Sequence, residues 1–112
     1  MMLLTKSIRS SLIENNKLQI EHEGELDLYP VVKLFGGSGC TWLLTTLDGD
    51  IAFGLCDLGL GCPELGYVSM TEIETQKFPP FGLPAERDMH WEADAPLSAY
   101  YKTARDHSRI VA

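Results

Sequence analysis

The chain has 112 residues, with nine lysines and arginines against sixteen aspartates and glutamates, for a formal net charge of −7. That length sets one domain, residues 1–112, with a modest core, and 45% hydrophobic with 22% charged residues is a globular composition. The sign of the charge argues against direct binding of nucleic acid or an anionic membrane and favours a protein partner with a basic surface.

No apolar run approaches the length needed to span a bilayer. The start, Met1-Met-Leu-Leu-Thr-Lys-Ser-Ile-Arg9, lacks an unbroken apolar segment and a small-residue cleavage site, so a cytoplasmic setting is expected. Cys40, Cys56 and Cys62 are odd in number and lack CxxC spacing. They read as free thiols, and neither a zinc site nor any cofactor is expected.

Leu4, Ile8 and Leu12 recur every four residues and predict an amphipathic helix over 5–15, with Thr5 as N-cap and Asn15-Asn16 as stop. Over 19–29, Glu21, Glu23, Glu25 and Asp27 occupy alternate positions. As a strand this would be a carboxylate face; Gly24 and the charge density tilt the reading to a loop.

Pro30 introduces a strand at 31–35, and Gly36-Gly-Ser-Gly39 is a turn. It is not a phosphate loop, since neither the Gly-Lys-Ser/Thr nor the following helix is there. Asp48-Gly49-Asp50 is a hairpin signal joining strands 41–47 and 51–57. In the second, Ile51, Phe53 and Leu55 form a large face meant for the core. Ala52, Gly54 and Cys56 form a small one that admits a close neighbour.

A glycine-rich bend at Leu58–Pro63 leads to a strand at 64–68. Ser69-Met-Thr-Glu72 has capping-box spacing and predicts a short helix over 70–77, ended by Pro79-Pro80. Phe81–Ala85 is a loop with apolar anchors. Glu86, Asp88, His90, Glu92 and Asp94 then alternate with Arg87, Met89, Trp91 and Ala93, a second acidic stripe that a strand would present to solvent while burying Trp91. Pro96 suits the first turn of a last helix over 97–107. The sum is an α+β fold: an antiparallel sheet of four to five strands, an N-terminal helix, a short mid-chain helix and a C-terminal helix.

Val31-Val-Lys-Leu-Phe35, Thr41-Trp-Leu-Leu-Thr45, Ile51–Gly59, Pro63–Ser69, Gly82–Asp88 and Pro96-Leu-Ser-Ala-Tyr100 together resemble the uncharacterised bacterial, plasmid and phage family numbered 2958 among domains of unknown function. The resemblance covers nearly the whole chain. It implies a small protein of mobile genetic elements, often near DNA-processing and anti-restriction genes, and carries no catalytic residues over. Cys62 before Pro63 departs from the larger apolar residue expected there.

Three readings of function compete. Two acidic stripes, Glu21, Glu23 and Glu25 with Glu86, Asp88, Glu92 and Asp94, could engage a basic host protein, carboxylates standing in for phosphates. Such a protein would be an accessory inhibitor of a nucleic-acid-binding defence system, of the anti-restriction or anti-CRISPR type. Alternatively, Asp57, Glu64, Asp88 and His90 could form the pocket of a metal-assisted hydrolase. Against that, Asp57 suits capping its own bend, and one histidine among acids is poor metal spacing. The third reading is a homo-oligomeric assembly module, in the simplest case a homodimer. Lone His22 and His107 read as surface or packing residues, and Trp42, Phe53, Tyr67 and Trp91 as core.

Overall fold

A computed structural model describes residues 2–112. Three helices and five strands follow in the order α1 (Lys6–Glu21), β1 (Val32–Gly36), β2 (Cys40–Asp48), β3 (Ile51–Asp57), β4 (Glu64–Ser69), α2 (Met70–Thr75), β5 (Glu86–Arg87) and α3 (Leu97–His107). The strands form one antiparallel sheet in the order β4-β3-β2-β1-β5. The predicted α+β class holds. No helix among the described residues is long and apolar enough to cross a membrane.

Helices cover both faces of the sheet. On one face Leu4 and Leu12 of the N-terminal segment pack with Val32, Leu34, Trp42, Leu44, Leu47, Ala52, Met70 and Phe78. On the other, Leu97 and Ala104 of α3 and Ile110 pack with Leu43 and Leu55. This is why β2 is buried from Trp42 to Leu47 without alternation. It corrects the expectation that only the large face of 51–57 meets the core. Ala52 is fully buried on the α1 side, while Ile51 is 44% exposed at the strand's start.

A β-bulge sets the layers. Leu44 pairs with Gly54 and Thr46 with Phe53, so Thr45 is an extra residue in β2. The inserted residue resets the parity, and Leu44 and Leu47, three apart, join the same cluster. The polar groups freed at the bulge find partners. Asn15 donates its side-chain N–H to the Thr45 carbonyl at 2.9 Å, and the Thr45 hydroxyl donates to the Phe53 carbonyl at 3.2 Å. Opposite the bulge, a Cβ on Gly54 would lie 1.9 Å from the Leu43 carbonyl oxygen. The small side of β3 does admit a close neighbour, and that neighbour is the β2 backbone.

Helix α1 starts as predicted, with Thr5 accepting from the Ile8 N–H at 3.1 Å. It does not stop at Asn15-Asn16 but runs on to Glu21. The Asn15 side chain is taken up by the bulge, so it no longer competes for its own backbone, the usual reason asparagine ends a helix. The second acidic stripe is likewise not a strand. Only Glu86 and Arg87 pair with β1, after which the chain turns at Asp88–Trp91. Two aromatic expectations also change. Tyr67 is 76% exposed, stacked edge-on against Phe53 at 4.9 Å. In the loop after α2 the anchor is Phe78, 6% exposed, whereas Phe81 is 82% exposed.

Candidate functional site

The hydrolase residues do not converge. Asp57 is 3% exposed. One carboxylate oxygen accepts from the Gly59 N–H at 2.8 Å and the other from the Ile110 N–H at 2.9 Å. It caps the bend, as the sequence suggests, and it also pins the segment after α3, a partner 53 residues away that no local pattern reveals. Both oxygens are thus committed to backbone donors.

Glu64 lies opposite Cys56, and Asp57 opposite Thr41. Neighbouring residues of a strand point to opposite faces, so Asp57 and Glu64 sit on opposite sides of the sheet. Asp88 lies beyond β1, where its N–H donates to the Lys33 carbonyl at 3.0 Å. Three strand spacings of about 4.8 Å each separate β3 from that edge. His90 is exposed in the turn that follows. Among the described residues no group of three His, Cys, Asp or Glu side chains is arranged to hold a metal ion.

The cysteines are free. Burial pushes the Cys56 thiol up to about 11. It also raises Cys40, with the nearby Asp57 charge as a lesser cause. Neither carries the depressed pKa of a nucleophilic thiol.

The acidic residues are arranged differently from two strand faces. Glu21 ends α1, and the chain then hooks back through two left-handed residues, Glu23 (φ 57°) and Gly24 (φ 77°). The Gly24 N–H donates to the Gln19 carbonyl at 2.7 Å. The Gln19 side chain clamps Leu26 from both sides, donating to its carbonyl at 2.7 Å and accepting from its N–H at 3.1 Å. Gln19–Glu21 belong to α1, so the loop reading of 19–29 holds from His22 onward, as a tied loop.

Its far end is fixed to α3. Pro96 offers no side-chain cap. Asp27 serves instead, accepting from the Ser98 N–H at 3.1 Å and from the Ser98 hydroxyl. A carboxylate at a helix N-terminus satisfies free N–H groups and faces the positive end of the dipole. Beside it, the Leu97 N–H donates to the Leu28 carbonyl at 2.9 Å. Asp94 accepts from the Tyr100 hydroxyl at 2.7 Å. Asp27 thus ties the segment that carries Glu21, Glu23 and Glu25 to the start of α3, the helix that Glu92 and Asp94 precede in the chain. Asp27 is the one carboxylate lining a cavity of about 200 Å³ at this junction, together with Leu26, Phe53, Leu65 and Tyr101.

Glu86 and Asp88 lie elsewhere. Glu86 stands on β5 opposite Phe35, beside a groove of about 330 Å³ lined by Phe35, Phe78, Phe81 and Leu83. Asp88 lies 3.7 Å from the Lys33 ammonium, the one ion pair among the described residues. Apart from Asp57 and Asp88, every carboxylate residue is exposed.

Nor is the charge at the end of α1 placed where the helix favours it. No basic residue occupies its last turn, and the C-terminal end of a helix dipole repels carboxylates. Asp50 differs. Hydrogen bonds from Ser69 at 2.5 Å and Thr71 at 2.7 Å, with the Thr71 N–H at 2.9 Å, hold its carboxyl below the ordinary range. It ties the β2–β3 hairpin to the start of α2, a role the capping-box spacing did not reveal.

Compared with known proteins, a family model described as "Protein of unknown function (DUF2958)" matches residues 3–111. No curated protein and no solved structure matches.

Proposed function

Since this chain belongs to the DUF2958 family, described as of unknown function, we propose that it is a binding protein that engages a basic protein surface through the carboxylates Glu21, Glu23 and Glu25 at the end of α1. The observation that carries this is the position of Glu21, Glu23 and Glu25. They are exposed, without ion-pair partners, and set at the negative end of α1. Like charges so placed repel one another and the helix end. A cationic partner turns that repulsion into attraction and speeds encounter. The tied loop holds the carboxylates in place before binding, which lowers the ordering cost. In the finer form of this proposal, the chain is an accessory protein of a mobile genetic element. Its target is a host defence nuclease or similar nucleic-acid-binding machine, whose phosphate-binding surface the carboxylates occupy.

The test is capture from host extract on immobilised protein, with bound proteins identified and eluted by a salt gradient. A specific protein with a basic surface should be retained and should leave as salt rises. Reversal of Glu21, Glu23 and Glu25 to lysine should abolish retention with little change in melting temperature. Reversal of Glu86, on β5, should not. Equal retention by the triple variant would sink the proposal.

A further inference from the structure

β4 is the outermost strand on its side of the sheet and pairs only with β3. One bond fixes the phase of its ladder. The Met70 N–H donates to the Asp50 carbonyl at 2.8 Å, one step beyond the Ser69–Ile51 pair. In an antiparallel ladder, bonded and non-bonded pairs alternate. Glu64, Gly66 and Val68 therefore turn their backbone groups towards β3. Leu65 and Tyr67 turn their N–H and C=O groups outward, away from the sheet.

Nothing within β4 guards this edge. Its sequence, Glu-Leu-Gly-Tyr-Val-Ser, holds no lysine and no proline, and its register with β3 runs unbroken. Edge strands that stay single carry such devices. The opposite edge, β5, is only two residues long and is followed by the Lys33–Asp88 pair. The side chains beside the open edge of β4 are apolar: Leu65 is 40% exposed and Tyr67 76%, both on the α3 face of the sheet.

We infer that β4 pairs antiparallel with β4 of a second copy of this chain, about a two-fold axis through Gly66. The strand is complementary to itself in that register and no other occupant is needed to explain it. Leu65 lies opposite Tyr67 of the second copy, and Tyr67 opposite its Leu65. Both are bonded pairs, so four backbone hydrogen bonds use the outward groups of both residues in each copy. The two Gly66 residues form the central non-bonded pair, where the backbones approach most closely, about 4.5 Å between Cα atoms. A residue without a side chain suits that position, and the space around it is open. The facing Leu–Tyr pairs bury apolar surface that each copy alone leaves wet. Glu64, the only charged residue of the strand, faces Val68 of the second copy and not its own counterpart. Pro63, which has no N–H to give, ends the ladder.

The whole molecule is acidic, so copies repel at a distance, and salt should strengthen the dimer. That is the opposite of its effect on capture of a basic protein, and the two proposals stand or fall separately.

Light scattering over a concentration series should show the mass rising from 12.4 kDa to twice that value, at lower concentration in high salt. Tyr67→Pro removes an outward N–H without touching a bond to β3, and Leu65→Lys puts a charge on the edge. Either should abolish the doubling. In a Cys62→Ser background, Gly66→Cys should oxidise to a cross-linked dimer, since facing Cα atoms about 4.5 Å apart fall within disulfide reach. Leu65→Cys should not, because its counterpart lies across from Tyr67. A wild-type chain that stays monomeric at every concentration overturns the inference, including the case in which this edge accepts only a strand of a different protein. Equal cross-linking at 65 and 66 overturns the register.

Discussion

Replacing Asp57 separates a structural carboxylate from a catalytic one. In Asp57→Ala, the Ile110 N–H loses its acceptor inside the protein, and the Gly59 N–H loses the bond that shapes the bend. A hydrogen bond to a charged group contributes about 1.5–3 kcal/mol, and leaving a buried donor unpaired costs about 1–3 kcal/mol. Only the Ile110 bond is fully buried, and the bend can turn its N–H to water, so the combined loss should be about 3–4 kcal/mol. At about 4 °C per kcal/mol for a chain of this size, the melting temperature should fall by about 12–16 °C. Asp57→Asn should be little better. Its amide keeps one acceptor oxygen but turns an NH₂ towards the other donor. Thermal unfolding followed by circular dichroism gives the magnitude. Amide exchange gives the location, with protection lost first at Ile110 and Gly59. A drop of less than about 3 °C would refute the reasoning, because the buried bond could not then be worth what its geometry implies.

Two further outcomes follow from contacts elsewhere in the fold. Gly54→Ala should cost at least about 3 kcal/mol, because its Cβ would meet the Leu43 carbonyl at 1.9 Å and backbone on a central strand cannot step aside; recovery of folded protein with near-native denaturant resistance would contradict the close approach. The Asp50 carboxyl, lowered first by the Ser69 bond and then by Thr71, should titrate in a carbon-detected NMR series below the usual aspartate range. Its folded pKa lies beneath its unfolded one, so its contribution is whole above the unfolded value and is lost as pH falls through the folded value. Amides of Thr71 and Glu72 should lose protection over that acid range, and an unshifted Asp50 would remove the link between hairpin and helix.

Much of this molecule can be read along the chain, because short-range chemistry decides it. Asp48-Gly49-Asp50 joins its two strands, Thr5 and Ser69 cap α1 and α2, and α3 spans 97–107 as predicted. What the sequence hides is settled between distant segments. Asn15 looks like a helix stop until the bulge at Thr45 claims its side chain. The acids of 21–27 and 86–94 both alternate as a strand face would, although Gly24 and the charge density tilt the first towards a loop. Tertiary contacts instead divide them into a tied loop, a two-residue strand and the approach to α3. Alternation reports a strand only where one face is apolar enough to hold the period, and the partners of Glu21, Glu23 and Glu25 are too polar to do so. Asp57 was legible as a turn residue, and its reach to Ile110 was not, since nothing local marks the far donor.

The single inserted residue at Thr45 makes the length of β2 a fixed quantity. Deleting it would restore strict alternation and rotate Leu47 out of the α1 layer into the α3 layer, breaking two hydrophobic clusters with one codon. Loops elsewhere can lengthen or shorten at small cost. Insertions and deletions that survive should therefore map to the connections and spare the nine residues at the middle of the sheet.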